Sequence, residues 1–94
     1  MAYVLIHHNV QDYEKFRTVF DYDAGRRERY GCKGGLLLRG QDGPNDFFAL
    51  FEWESEEKAR EFVAAYETHE AFEWVSAAGE VRAFVLEEVE RVEV

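Results

Sequence analysis

A chain of 94 residues with a formal charge of −9 has the length of a single domain and lacks the basic footprint that nucleic acid or an anionic membrane surface requires. Hydrophobic residues make up 47% and aromatic residues 16%, more large side chains than one small core hides. That surplus points to a lined cavity, to a face buried against another subunit, or to both. Cys32 is the single cysteine, so no disulfide forms within the monomer, and no apolar run approaches the roughly 20 residues of a membrane span. The N-terminus carries no signal-peptide pattern, and the expectation is one soluble, cytoplasmic domain over residues 1–94.

Residues 3–8 read as a strand buried on both faces, because Val4, Leu5 and Ile6 do not alternate with polar residues. Asn9 or Asp12 can cap the helix that follows, where Tyr13, Phe16, Phe20 and Ala24 recur at helical spacing. Arg26, Arg27 and Arg29 fall in its last turns and suit the negative end of its dipole, and Gly31 ends it. Lys33 to Arg39 forms a second strand, with Gly34 and Gly35 marking a bulge or a close backbone approach. Turn chemistry over residues 40–46 leads into a third strand, Phe47 to Glu54, closing a hairpin. Ser55 caps the next helix, whose stripe is Ala59, Phe62, Val63 and Tyr66. Thr68 is expected to cap a short further helix with Ala71, Phe72 and Val75, stopping at Gly79. Val81 to Glu90 completes the pattern as a fourth strand, which the charged tail prolongs at a sheet edge.

The order β-α-β-β-α-β is the α+β, ferredoxin-like split arrangement: a four-stranded antiparallel sheet with helices on one face. Right-handed crossovers set strand one between strands three and four, and strands one and three are expected to run parallel. Strands apolar on both sides need a second cover, and a homodimer pairing two sheets face to face supplies it.

His8 and Glu52 stand out as candidate catalytic groups, because titratable side chains at the ends of buried strands are costly unless paired or used. If their faces coincide, the carboxylate orients the imidazole and raises its pKa, giving a general base; the alternative is a buried hydrogen bond of purely structural use. His7 lies on the opposite strand face, toward the expected partner subunit. Adjacent strand residues point apart, so His7, His8 and His69 form no metal-ligand pattern, and no metal is expected. Tyr13, Phe16, Phe20, Phe62, Tyr66 and Phe72 line the inner helix faces, either as plain core or as the wall of a flat-substrate pocket. Trp53 and Trp74 join that wall or the dimer contact, and Arg39 either holds an anionic group or makes a surface ion pair. Cys32 has no partner pattern for a nucleophile, and Gly34-Gly35 lacks the context of a phosphate loop.

Six pieces, His8-Asn-Val-Gln-Asp-Tyr13, Phe16 with Val19-Phe20, Lys33-Gly-Gly35, Leu50-Phe-Glu-Trp53, Lys58-Ala59 and Ala78-Gly79, together span nearly the whole chain. In these the sequence resembles the antibiotic-biosynthesis-monooxygenase-like group of the dimeric α/β-barrel superfamily, closest to its uncharacterised, cyclase-like branch. The resemblance implies a homodimer with a small apolar pocket per monomer. It also implies a cofactor-independent monooxygenase or cyclase acting on an aromatic or polyketide-like molecule, or a non-catalytic binding module of the same fold. In the catalytic version His8 deprotonates a phenol, Glu52 orients it, and Asn9 or a Tyr hydroxyl steadies the oxyanion. The haem-degrading relatives share an Asn ending strand one, a helix Trp and a downstream His. Asn9 matches the first, but Phe62 and Phe72 occupy the other two positions, which leaves only His69, out of register, as an iron ligand and argues against haem degradation.

Overall fold

The computed structural model describes residues 1–75 and 81–94, with Tyr66, Glu67, Phe72, Trp74 and Val75 described by backbone alone. The expected stop at Gly79 and the Ala78-Gly79 piece lie outside the described residues.

Alternation governs the strands. In β1 (Ala2–Asn9) the side chains of Ala2, Val4, Ile6 and His8 are buried, while Tyr3, Leu5, His7 and Asn9 are half-buried. Within one chain, one side of the sheet carries the helices and the other is open, so burial of β1 on its second face depends on the cover that a partner subunit would supply. In β3 (Asp46–Trp53) the buried set is Phe47, Ala49, Phe51 and Trp53. With β2 (Cys32–Arg39) and β4 (Val81–Glu87) these strands form one sheet in the order β2-β3-β1-β4.

Every neighbouring pair is antiparallel, so the expectation that β1 and β3 run parallel fails. The helical crossover after β1 brings β2 back in the same direction, and the hairpin then reverses β3 as it inserts between them. His8 therefore sits opposite Phe47, whereas Glu52 sits opposite Tyr3 at the other end of the strand pair. The α+β, split βαββαβ architecture itself is the observed one.

Between β1 and β2 the chain makes two helices, α1 (Tyr13–Tyr22) and α2 (Ala24–Arg29), where one was expected. Asp12 is the cap of α1, accepting from the Lys15 backbone N–H at 3.1 Å, while Asn9 stays in the strand. The break falls at Asp23, next to Gly25, two residue types that hold a helix interior poorly. Gly31 takes a left-handed φ of 94° after α2, as its place at the helix end requires. In β2, Gly34 (φ 115°) lies at the register shift between Cys32 and Gly34, which is the expected bulge. A methyl group on Gly35 would collide with the Leu50 carbonyl oxygen, so β2 and β3 approach there because no side chain intervenes.

After the hairpin, Ser55 caps α3 (Glu56–Ala64) by accepting from the Lys58 N–H at 3.2 Å. Ala65 turns extended, and α4 (Tyr66–Val75) begins at once. Thr68 is not a cap. It lies inside α4, fully buried, and its hydroxyl donates to the Phe62 carbonyl at 2.6 Å, closing the corner between the two helices. β4 ends at Glu87, short of the expected Glu90, and the tail adds no strand.

The core lies between helices and sheet. Val4, Ile6, Ala49, Phe51, Trp53, Ala59 and Phe62 form its larger part, and Val10, Phe16 and Phe47 its smaller one. Full burial of a side chain of this kind is worth roughly 1.5–3 kcal/mol. The opposite sheet face is different: Leu36, Leu38, Phe84 and Leu86 are each 42–58% exposed there, beside Tyr3, Leu5, Phe48 and Leu50.

Candidate functional site

His8 is the last helix-side residue of β1 and is 4% exposed. The edge of its ring meets Phe16 of α1, with centroids 5.2 Å apart and planes at 65°. His8 lines a cavity with Ile6 and, from the other elements, Phe16, Val19, Phe20, Asp23, Arg27, Ala49, Phe51, Phe62 and Ala71. The cavity volume is about 30 Å³, room for about one water molecule. Burial in this apolar wall, reinforced by the neighbouring His7, lowers the His8 pKa from 6.5 to about 4. The imidazole is therefore neutral near pH 7, the reverse of the raised pKa expected from a carboxylate partner.

That partner is not in place. β1 and β3 present His8 and Glu52 to opposite faces of the sheet and at opposite ends of their shared ladder, so the expected His8–Glu52 couple does not form. Strand alternation also turns Asn9 away from the side that His8 faces. His7 takes the open face, as expected, with its ring stacked on Phe48 at 4.7 Å and its Nε2 2.9 Å from the Asp46 carboxylate.

Of the expected aromatic wall, Phe16, Phe20 and Phe62 reach the cavity. Tyr13 does not: it is 41% exposed and stacks on Phe47, with the Arg39 guanidinium over both rings at 5.4 and 4.9 Å. Arg39 thus closes the end of the smaller core by a cation–π contact, and among the described residues it makes no ion pair. Trp53 is fully buried against Phe62, 4.8 Å between centroids, and belongs to the core under α3. The side chains of Tyr66, Phe72 and Trp74 lie outside the described residues. His69 is exposed on α4 and does not line the cavity. Burial pushes the Cys32 thiol up, away from a reactive thiolate.

Arg27 is the site residue that the sequence pattern hid. Its Nη1 donates to the Phe20 carbonyl at 3.0 Å, and its guanidinium lies 4.2 Å from the Phe20 ring centroid and 5.0 Å from that of Phe51. Burial lowers its pKa from the ordinary arginine value. Asp23, the nearby acid, gives both carboxylate oxygens to Arg26, at 2.7 and 2.8 Å. Outside this cavity an open groove of about 670 Å³ runs between α1–α2 and α4, sharing Val19, Asp23 and Ala71 with it. The arrangement is a surface groove that narrows to a one-water pocket with a cation on one wall and a neutral imidazole on another.

No family model matches the sequence, and no curated protein sequence matches it. Solved structures do. The chain superposes on a provisionally assigned antibiotic biosynthesis monooxygenase from Deinococcus radiodurans at 14% identity and a TM-score of 0.73, covering 100% of this chain and 98% of that one. The fold is that of the antibiotic biosynthesis monooxygenases. SnoaB of Streptomyces nogalater, a cofactor-independent oxygenase, shares it at 18% identity and a TM-score of 0.73, over 97% of this chain and 94% of its own. So does Rv0793 of Mycobacterium tuberculosis, at 14% identity and 0.67, over 99% and 100%. At such identities the antibiotic biosynthesis monooxygenase likeness is one of fold.

Proposed function

We propose that this chain, as a single domain over residues 1–94, forms a homodimer through its open sheet face. Each subunit binds a small aromatic or polyketide-like molecule in the groove beside His8 and acts on it as a cofactor-independent monooxygenase, or as a cyclase using the same deprotonation. The observation that carries the reading is a neutral, buried imidazole at the inner end of an apolar cleft. SnoaB, an oxygenase without a cofactor, supports it through the shared fold.

A neutral His8 can receive a proton from a phenol or an activated C–H group. Burial opposes the imidazolium, and the substrate anion formed beside it offsets that cost by its opposite charge. The electron-rich anion then gives one electron to dioxygen, and the radical pair combines to a peroxide anion that takes the proton back from His8 as a hydroperoxide. Loss of water leaves a carbonyl, so that CH2 and O2 become C=O and H2O. Glu52 takes no part in this version, because it faces away.

The low basicity of His8 and the one-water inner volume favour a second reading, a non-catalytic binding module whose imidazole serves only as a hydrogen-bonding wall. Oxygen uptake with anthrone or a dihydroxynaphthalene separates the two. A catalytic His8 predicts that His8→Phe loses turnover by about 100-fold or more with an unchanged Tm, and that Glu52→Ala, on the other face, keeps it. Ring binding without oxygen uptake by the wild type would leave the binding module.

A further inference from the structure

Arg27 is a half-buried cation in a chain of formal charge −9, and among the described residues no carboxylate lies within ion-pairing distance of it. Asp23 acts on it only from a distance, since Arg26 occupies both of its oxygens. A guanidinium has five N–H donors in a fixed fork, and Arg27 spends one of them on the Phe20 carbonyl. Its plane is held by the Phe20 and Phe51 rings, so the fork is ordered before any ligand arrives. Next to it, Arg26 Nη1 is buried and has no hydrogen-bond partner among the described residues.

The volumes add a size rule. The inner cavity is too small for an aromatic ring, whereas the adjoining groove is large enough. A ligand therefore fits with one oxygen of a compact polar head inside and its flat body outside, against Val19 and Ala71. Two-oxygen heads match a guanidinium fork better than single hydroxyls do.

We propose that the cleft selects flat aromatic molecules bearing a carboxylate, with Arg27 binding the carboxylate so that one oxygen enters the inner cavity while the ring lies in the groove between α1–α2 and α4. This rests on the small-molecule reading above and adds the charge and polarity of the ligand.

The test is a titration of the intact protein, by calorimetry and NMR, with 2-naphthoate and with its neutral isostere 2-naphthamide. Naphthoate is expected to bind at least about tenfold more tightly and to shift the Arg27 Nε–H signal. Arg27→Gln should abolish that preference, and Arg27→Lys should keep part of it. Equal binding of the two probes, or a naphthoate affinity unchanged in Arg27→Gln, overturns the carboxylate assignment while leaving the small-molecule site standing. Absence of any shift in Ile6, Phe16 and Val19 with either probe overturns both. Should Arg27→Gln fail to fold, the wild-type preference and the Arg27 Nε–H shift decide the matter alone.

Discussion

His8 holds its place against an electrostatic penalty that changes with pH. The unfolded imidazole titrates at 6.5 and the folded one at about 4. Between those values the unfolded chain binds a proton that the folded chain refuses, so stability falls as the pH drops through this window; above it both states are neutral. The difference amounts to roughly 3 kcal/mol once the pH is below both values. Urea denaturation at about pH 7 and about pH 4.5 should show this loss in the wild type, and His8→Phe should lack that share of it. A slope identical in the two proteins would mean that His8 is not buried as described. Strand parity alone put His8 with Val4 and Ile6, so its burial was legible in the sequence. The role given to Glu52 was not, because it depends on which way a hairpin strand returns beside β1. Arg27 was hidden for a similar reason: its bond to the Phe20 carbonyl spans a helix break that a continuous helix does not allow.

Two helix corners shape the cleft, one at Asp23 and one at Ala65. Neither is made by proline, and Gly25 is the sole glycine near them, so the usual punctuation of a sequence is faint there. The strand hairpin, the Asp12 and Ser55 caps and the Gly31 stop were legible, since each depends on a few adjacent residues. The second corner is fixed by a tertiary hydrogen bond, from the Thr68 hydroxyl to the Phe62 carbonyl at 2.6 Å. Thr68→Val keeps the shape and removes the hydroxyl donor from a carbonyl that still accepts from the Ala65 N–H at 3.2 Å, which should cost about 0.5–1.5 kcal/mol. Thr68→Ser should retain most of the stability, and thermal melts of the pair check the assignment. Equal melting of Thr68→Val and wild type would show that the corner does not rely on this bond. At Gly35 the constraint is steric instead, and Gly35→Ala should lower the midpoint of denaturation through the collision with the Leu50 carbonyl.

Across the whole molecule the apolar surplus is divided between an enclosed side and an uncovered one. Exposed Leu36, Leu38, Phe84 and Leu86 extend over both edge strands of one face, a contiguous surface of the kind that marks an interface. Under the homodimer reading, Leu36→Asp or Phe84→Asp should raise the dissociation constant of the dimer by about tenfold or more, measured by sedimentation. A wild type that stays monomeric at all accessible concentrations sinks that reading without touching the cleft. One detail of β1 makes the two sides separately observable. His7 and His8 are consecutive, yet one ring stacks on Phe48 on the open face and the other meets Phe16 beneath the helices. Under the homodimer and small-molecule readings, a single spectrum of the two imidazoles therefore follows association through His7 and ligand occupancy through His8, linked by the electrostatic coupling of the neighbouring rings, with no label added to the chain.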